Sequence, residues 1–263
     1  KSLKNYVATP EVLNKYGADA ARQWAAGGGA TGSDVPFRWP DAEYGWRFLI
    51  KLWNASSFVS NLLKGYEPKN SGFPVLQPLD KWILSKTEKL TKDVTDALEK
   101  CQFNTTLEET RNFTWHVFCD CYLEAVKDRL YRPEVYGEEK KEAAQCTLYH
   151  VLNKILLLLA PVMPHISEEI YQELYGEGER LASIHRSKWP DVDIRHIDEE
   201  AEKSGDLVMA MISEIRREKA ERHLPLNAQI KKLTVFAEEN RARILNESRD
   251  DICGTCKISE LDL

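Results

Sequence analysis

The chain has 263 residues, 43% of them hydrophobic, enough to build the core of one large or two modest domains. Its formal net charge of −6 excludes a general polyanion binder, so any contact with nucleic acid has to come from local patches and shape. The longest apolar run, "ILLLLAPVM" at 155–163, falls far short of the roughly 20 residues that cross a bilayer, and no membrane span is expected.

Helical periodicity dominates from the start. Thr9 is placed to N-cap a helix with Pro10 at its first position, and Gly17 breaks the run before a second short helix that stops in glycines. "GGGATGSD" at 27–34 follows a helix and not a strand, which reads as a hinge in preference to a phosphate cradle. Asp41 is positioned to cap a long helix with the apolar stripe Phe48, Leu52, Ala55 and Val59, and Gly65 ends it. Residues 66–77, with two prolines and a glycine, read as a surface connection.

A second long helix follows, with Leu79, Ile83, Leu90, Val94 and Leu98 on one side. A third runs from Asn104 to about Arg132, carries Leu107, Trp115, Phe118, Tyr122 and Val126, and is stopped by Pro133. A fourth, 138–160, ends at Pro161, and the chain restarts as a helix with Pro164 near its first turn. Four long amphipathic helices with short connections predict a mainly α fold, an antiparallel helical bundle. Beyond it, a charge-laced helix at about 198–223 leads to "KKLTVFA" and "CKISELDL", which alternate like two strands around a short helix, 238–247, and predict a small C-terminal α/β appendix.

A catalytic constellation is hard to assemble, because the chain holds no GxSxG elbow, Walker loop, HExxH or strand-borne GxGxxG. His165 beside Glu168 and Glu169 reads as a helix start whose acids suit the positive helix end, in preference to a general base. The six cysteines have the scatter of reduced thiols in a cytosolic protein. Cys119 and Cys121 fall on different helix faces, and "CGTC" at 253–256 lacks a second ligand pair, so it reads as a turn with buried thiols and no metal is expected. The basic residues say more. Arg216, Arg217, Lys219 and Arg222 fall within two turns, Lys231 and Lys232 begin a strand, and "VKDRLYR" adds Lys127, Arg129 and Arg132. Such groups either grip phosphates or form a merely solvated face, and Glu218 and Glu221 dilute the field.

Several phrases shift that balance. "KSLKN" followed by "VATPEVLNKYGADAARQW", then "SDVPF", "KLWNASSFV", "DKWILSKTEKLT", "FCDCYLEAVKDRLY" and "LLLLAPVMPHISEEIYQEL", resemble in order and spacing the C-terminal part of class I aminoacyl-tRNA synthetases of the valyl branch. The resemblance reaches from the first residue to about 225, and the short α/β end is similar to archaeal-type relatives, without a long terminal coiled-coil arm. It implies that Lys1 and Ser2 are the last two residues of the ATP-binding KMSKS signature, and that the nucleotide-binding and editing domains lie upstream. It further implies residues 1–40 as the end of that loop plus stem-contact linker helices, 41–190 as the anticodon-binding bundle, and 191–263 as a helix plus the α/β appendix.

The partners implied are valine tRNA and the upstream domains of the same polypeptide, in the cytoplasm. ATP, with magnesium, belongs to the full-length enzyme, and this chain alone is expected to bind neither and to be catalytically inactive. An anticodon offers unstacked bases, so a stacking aromatic with a nearby donor is needed. Phe58, off the apolar stripe, is the expected stacking face and Arg38 the expected donor, with Arg216, Arg217, Lys219 and Arg222 as phosphate candidates. The isoleucyl and leucyl branches are the alternatives within the family, and a helical protein-interaction module is the alternative from another class.

Overall fold

The computed structural model of the chain describes residues 7–29, 32, 35–68, 72–176 and 183–263. Its helices are α1 (Thr9–Tyr16), α2 (Ala18–Gly27), α3 (Trp39–Leu62), α4 (Pro78–Glu99), α5 (Phe103–Asn112), a π-helix (Phe113–Leu123), α6 (Glu124–Tyr131), α7 (Pro133–Tyr136), α8 (Glu138–Leu159), α9 (Pro164–Tyr175), α10 (Glu199–Glu221), α11 (Glu239–Glu247) and α12 (Arg249–Cys256). Strands β1 (Ile230–Thr234) and β2 (Ile258–Asp262) pair in parallel, with Ile230 opposite Ile258 and Leu233 opposite Leu261. The crossover that parallel strands require is supplied by α11 and α12. The expected helical bundle with a small α/β end is therefore what the chain forms.

The residues group into two compact units. One comprises residues 1–61, 89–116 and 152–192, the other residues 62–88, 117–151 and 193–263. In the first, α2 packs on α1, α5 and α9. Gly17, at φ +81°, separates α1 from α2, as its backbone freedom suggests. The stripe Phe48, Leu52, Ala55 and Val59 of α3 is buried as the periodicity predicts. Two side chains of α2 tie the turn between α8 and α9 in place. Arg22 donates to the carbonyls of Pro161 and Val162, and the Asp19 carboxylate accepts from the amides of His165 (3.4 Å) and Ile166 (2.8 Å). A helix C-terminus thus receives a cation and a helix N-terminus an anion, each where the macrodipole favours it.

In the second unit, α12 packs on α6 and α10. Asp198 caps α10 by accepting from the amides of Glu200 and Ala201, and Glu199, Glu200 and Glu202 fill its first turn. Trp82 of α4 donates its indole N–H to Asp206 at 2.9 Å, while Ser85 pairs with Glu202 and accepts from the amide of Asp198. Gly205 lets α10 approach: a Cβ there would sit 2.2 Å from the Trp82 ring.

Several local expectations are corrected. Thr9 does not cap α1; it is the first helical residue, and Ala8 holds the cap position without a side-chain bond. Asp41 lies in the first turn of α3, which starts at Trp39 because the Arg38 carbonyl already accepts from the amides of Asp41 and Ala42. The third helix runs without a gap from Phe103 to Tyr131, but its middle, Phe113–Leu123, is π-helical between α5 and α6. The Thr110 and Thr114 hydroxyls donate to the carbonyls of Thr106 and Thr110 at its start, as Thr87, Thr95 and Thr147 do within helices that stay α-helical. "CGTC" is the last turn of α12 and not a turn between elements. Its glycine admits the Asp128 side chain, which a Cβ would meet at 2.6 Å, and its threonine donates to the Ala125 carbonyl. Burial pushes both of its thiols up, Cys256 to about 11, so they stay protonated. Among the described residues no group of three or more His, Cys, Asp or Glu side chains could hold a metal ion, and no helix is long and apolar enough to cross a membrane.

Candidate nucleic-acid interface

The site is built on α3. Spacings of three and four put Tyr44, Arg47, Lys51, Asn54, Phe58 and Asn61 on one helix face, beside the buried stripe. Phe58 is half-buried there, neither in the core nor fully offered to solvent. Along the same face, the Lys51 ammonium stands 4.4 Å from the centroid of the Trp115 ring, and the Trp115 ring stacks on Phe48 with centroids 6.4 Å apart. The Arg111 guanidinium lies over the Tyr44 ring at 4.9 Å. Asn61 donates to the Ser57 carbonyl and Arg47 pairs with Glu43, so of the polar groups nearest Phe58 it is the exposed Asn54, one turn away, that presents an amide. The face therefore combines π surface, cationic charge and an amide with both donor and acceptor, the set a stacked and hydrogen-bonded base requires.

Sequence reasoning missed this face except for Phe58. The 44, 47, 51, 54, 58, 61 spacing was available, but with polar and aromatic residues mixed it gives no hydrophobic-moment signal, and Trp115 comes from another helix. Trp46, Ile50 and Trp53 form a further exposed apolar row on α3, each about 40% accessible.

Arg38 is not a donor for Phe58. It precedes the first turn of α3, and at 1.5 Å of rise per residue the 20 steps from one to the other separate them by about 30 Å. Its exposed side chain instead lines a cavity with residues of α2 and α5.

The basic cluster on α10 divides. Lys219 is buried, and its ammonium donates to the carbonyls of Leu226 (2.9 Å), Ala228 (2.6 Å) and Cys256 (2.8 Å). All three of its donors are used in holding the chain between α10 and β1 against the end of α12, which removes it from the phosphate candidates; burial pulls its pKa below the ordinary lysine value. Arg217 is exposed but paired with Glu214 and Glu221, and Arg222 with Glu218. Arg216 is half-buried, and its charge lowers the pKa of the neighbouring thiols of Cys121 and Cys256, against the larger upward push of burial. Lys232 is held by Glu260 and Asp262. Arg132 pairs with Asp128.

Arg129 is 2% exposed and grips phosphate no more than Lys219 does. Its Nη2 lies 2.5 Å from Asp80 Oδ1 and its Nε 3.0 Å from Asp251 Oδ1, while Tyr122 donates to Asp80 at 2.7 Å. Lys1 and Ser2 lie outside the described residues.

Residues 80–235 match the family model described as the anticodon-binding domain of tRNA ligase. Over its whole length the chain is 44% identical to the valine--tRNA ligase of Methanothermobacter thermautotrophicus, covering 28% of that protein. It is 40% identical over its whole length to the valine--tRNA ligase of Thermococcus kodakarensis and 41% to that of Pyrococcus horikoshii, covering 29% of each. The chain thus spans under a third of the length of the curated relatives it matches. Among solved structures it is similar to the LeuRS of Agrobacterium radiobacter in its ternary complex with tRNA and LeuAMS, with a TM-score of 0.54 over 75% of this chain and 23% of that one; at 20% identity the likeness is one of fold. By the extent of the family match, the chain belongs to the anticodon-binding domains of tRNA ligases.

Proposed function

We propose that this chain is the tRNA-recognition part of a cytoplasmic valine–tRNA ligase, and that it reads the anticodon with the α3 face centred on Phe58. The observation that carries the reading is the alignment on that face of a half-buried aromatic, an exposed amide at Asn54 and the cation at Lys51. The choice of valine rests on identity of 40% or more to valine ligases across the whole chain. A base of the anticodon stacks on Phe58 and its Watson–Crick edge meets the Asn54 amide, while phosphates gather near Lys51 and, more weakly, Arg216. Residues 1–40 serve as the end of the ATP loop and the linker helices, 41–190 as the anticodon bundle, and 191–263 as the closing α/β part. ATP and magnesium are used by the catalytic part of the complete ligase, where Lys1 and Ser2 complete its signature.

The test is tRNA binding by the chain. Phe58→Ala is expected to lower affinity for valine tRNA by about 1–3 kcal/mol, the value of one base stack, with an unchanged melting temperature. A tRNA with an altered anticodon should bind the wild type more weakly and be indifferent to the substitution. Equal losses on both RNAs would remove the anticodon role. The chain alone is expected to show no valine-dependent pyrophosphate exchange.

A further inference from the structure

Two exposed amides flank Phe58 on its face of α3, Asn54 one turn before it and Asn61 one turn after. They are held differently. Among the described residues the Asn54 side chain makes no hydrogen bond, so its amide can turn to offer a base either a donor or an acceptor. Asn61 is locked, because its Nδ2 donates to the Ser57 carbonyl at 2.9 Å. A carbonyl oxygen only accepts, so the amide nitrogen must be the atom that faces Ser57, and Oδ1 is turned the other way.

The lock gives Asn61 a fixed hydrogen-bond sign: what it offers to a partner outside the helix is an acceptor. Its place next to the last residue of α3, at the negative end of the helix, adds to the preference for a donor there. The spacing of three puts its Cβ about 5–6 Å from that of Phe58, within reach of the edge of a base that lies beside the ring. Bases differ at that edge, since adenine and cytosine show an exocyclic amine where guanine and uracil show a carbonyl oxygen. Oxygen set against oxygen leaves both without a donor, so a fixed acceptor rejects guanine and uracil. Valine codons begin G-U, and valine anticodons therefore carry adenine and then cytosine at their second and third positions. Isoleucine anticodons carry adenine and then uracil, and those of the four-codon leucine box adenine and then guanine. The second base is common to all three sets; at the third, cytosine alone shows the amine.

We propose that Asn61 is a specificity-determining residue: its Oδ1 accepts from the cytosine amine at the third anticodon position and rejects uracil or guanine there. The inference rests on the reading of α3 as the anticodon face, and it divides the work on that face. Phe58 stacks, the adaptable Asn54 meets the base that the three sets share, and the locked Asn61 separates valine tRNA from the isoleucine and leucine alternatives. The lock needs no other element, because the Asn61 to Ser57 bond closes within one turn of α3.

The experiment compares valine tRNA with the same tRNA carrying uracil for cytosine at the third anticodon position, each bound to the wild-type chain and to variants first checked by circular dichroism. The wild type is expected to bind the cytosine form about tenfold more tightly. Asn61→Ala removes the acceptor; it should lower affinity for the cytosine form about fivefold and raise that for the uracil form about twofold, which brings the ratio to about one. Asn61→Lys puts donors in place of the acceptor and should raise affinity for both RNAs through its charge while reversing their order. A merely structural role for Asn61 would shift both RNAs together and keep the wild-type ratio in Asn61→Ala, and that result would overturn the proposal. A wild type that binds both RNAs equally would overturn it as well. The stacking role of Phe58 is decided separately: Phe58→Ala with wild-type affinity removes the stack, whereas the ratio in Asn61→Ala decides the amine contact. A wild-type chain without affinity for tRNA would remove both readings.

Discussion

Two arginines, the buried Arg129 and the half-buried Arg111, one in each compact unit, differ in what surrounds their charge. Arg129 sits between Asp80 and Asp251, and Tyr122 completes the coordination of Asp80. Arg111 is half-buried, and its guanidinium lies over the face of Tyr44 at 4.9 Å. The first arrangement fastens α12 to α4 and α6, and its cost in desolvation is offset only while every charge keeps its counter-charge. The second places a guanidinium against an aromatic ring, with no carboxylate in an ion pair with it among the described residues. The difference lies in counter-charge, two carboxylates around Arg129 and an aromatic face on Arg111, since the Nε of each is buried without a hydrogen bond.

The sharpest way to break this comparison is to make the same substitution in both places. Arg129→Met leaves Asp80 and Asp251 facing each other in the core and should cost about 3–5 kcal/mol in urea unfolding. Next in size is Lys219→Met, which orphans the carbonyls of Leu226 and Ala228 ahead of β1 and of Cys256 at the end of α12 and should cost about 1–3 kcal/mol, with amide exchange increasing first in β1 and β2.

A smaller, pH-dependent effect belongs to Asp251. Burial lifts its carboxyl from the ordinary 3.8 to about 6 in spite of Arg129, which Asp80 shares at the shorter distance. A pKa raised on folding means that the native state holds this proton more tightly. The stability so conferred is complete below 3.8 and is lost as pH rises through about 6. Wild-type unfolding midpoints should therefore fall across that window relative to Asp251→Asn. A rise would show that attraction to Arg129 outweighs burial. The smallest effect is expected at Arg111→Met, which removes a half-buried cation held by an aromatic face and should change stability by under about 1 kcal/mol. A loss comparable with that of Arg129→Met would erase the distinction between the two units.

Much of the fold could be read from the chain because helix position is a local property. The Phe48 to Val59 stripe, Leu79, Ile83 and Val94 on α4, the Gly17 break and the two terminal strands all follow from spacing and backbone preference within a few residues. The π-helix was not readable, since nothing in the spacing of Phe113–Leu123 sets it apart from an α-helix. The site was readable only in part. Phe58 stood out by leaving its stripe, but Arg38 was matched to it by proximity in sequence, where a straight helix carries the two apart. Lys219 and Arg129 had the look of surface cations in a charged run, and nothing within a helical turn of either announces the carbonyls and carboxylates that enclose them.

The sequence by itself determined that the chain is a helical bundle with an α/β end and, through its phrases, that it resembles a tRNA ligase, because periodicity, glycine and proline act over neighbouring residues. Only the tertiary structure decided which charges are free. Asp19 accepts from amides 146 and 147 positions away, Lys219 is enclosed by a carbonyl 37 positions on, and Arg129 reaches back 49 positions to Asp80. The fate of an ionisable group depends on the dielectric and partners that packing brings to it, and packing joins residues without regard to their distance along the chain.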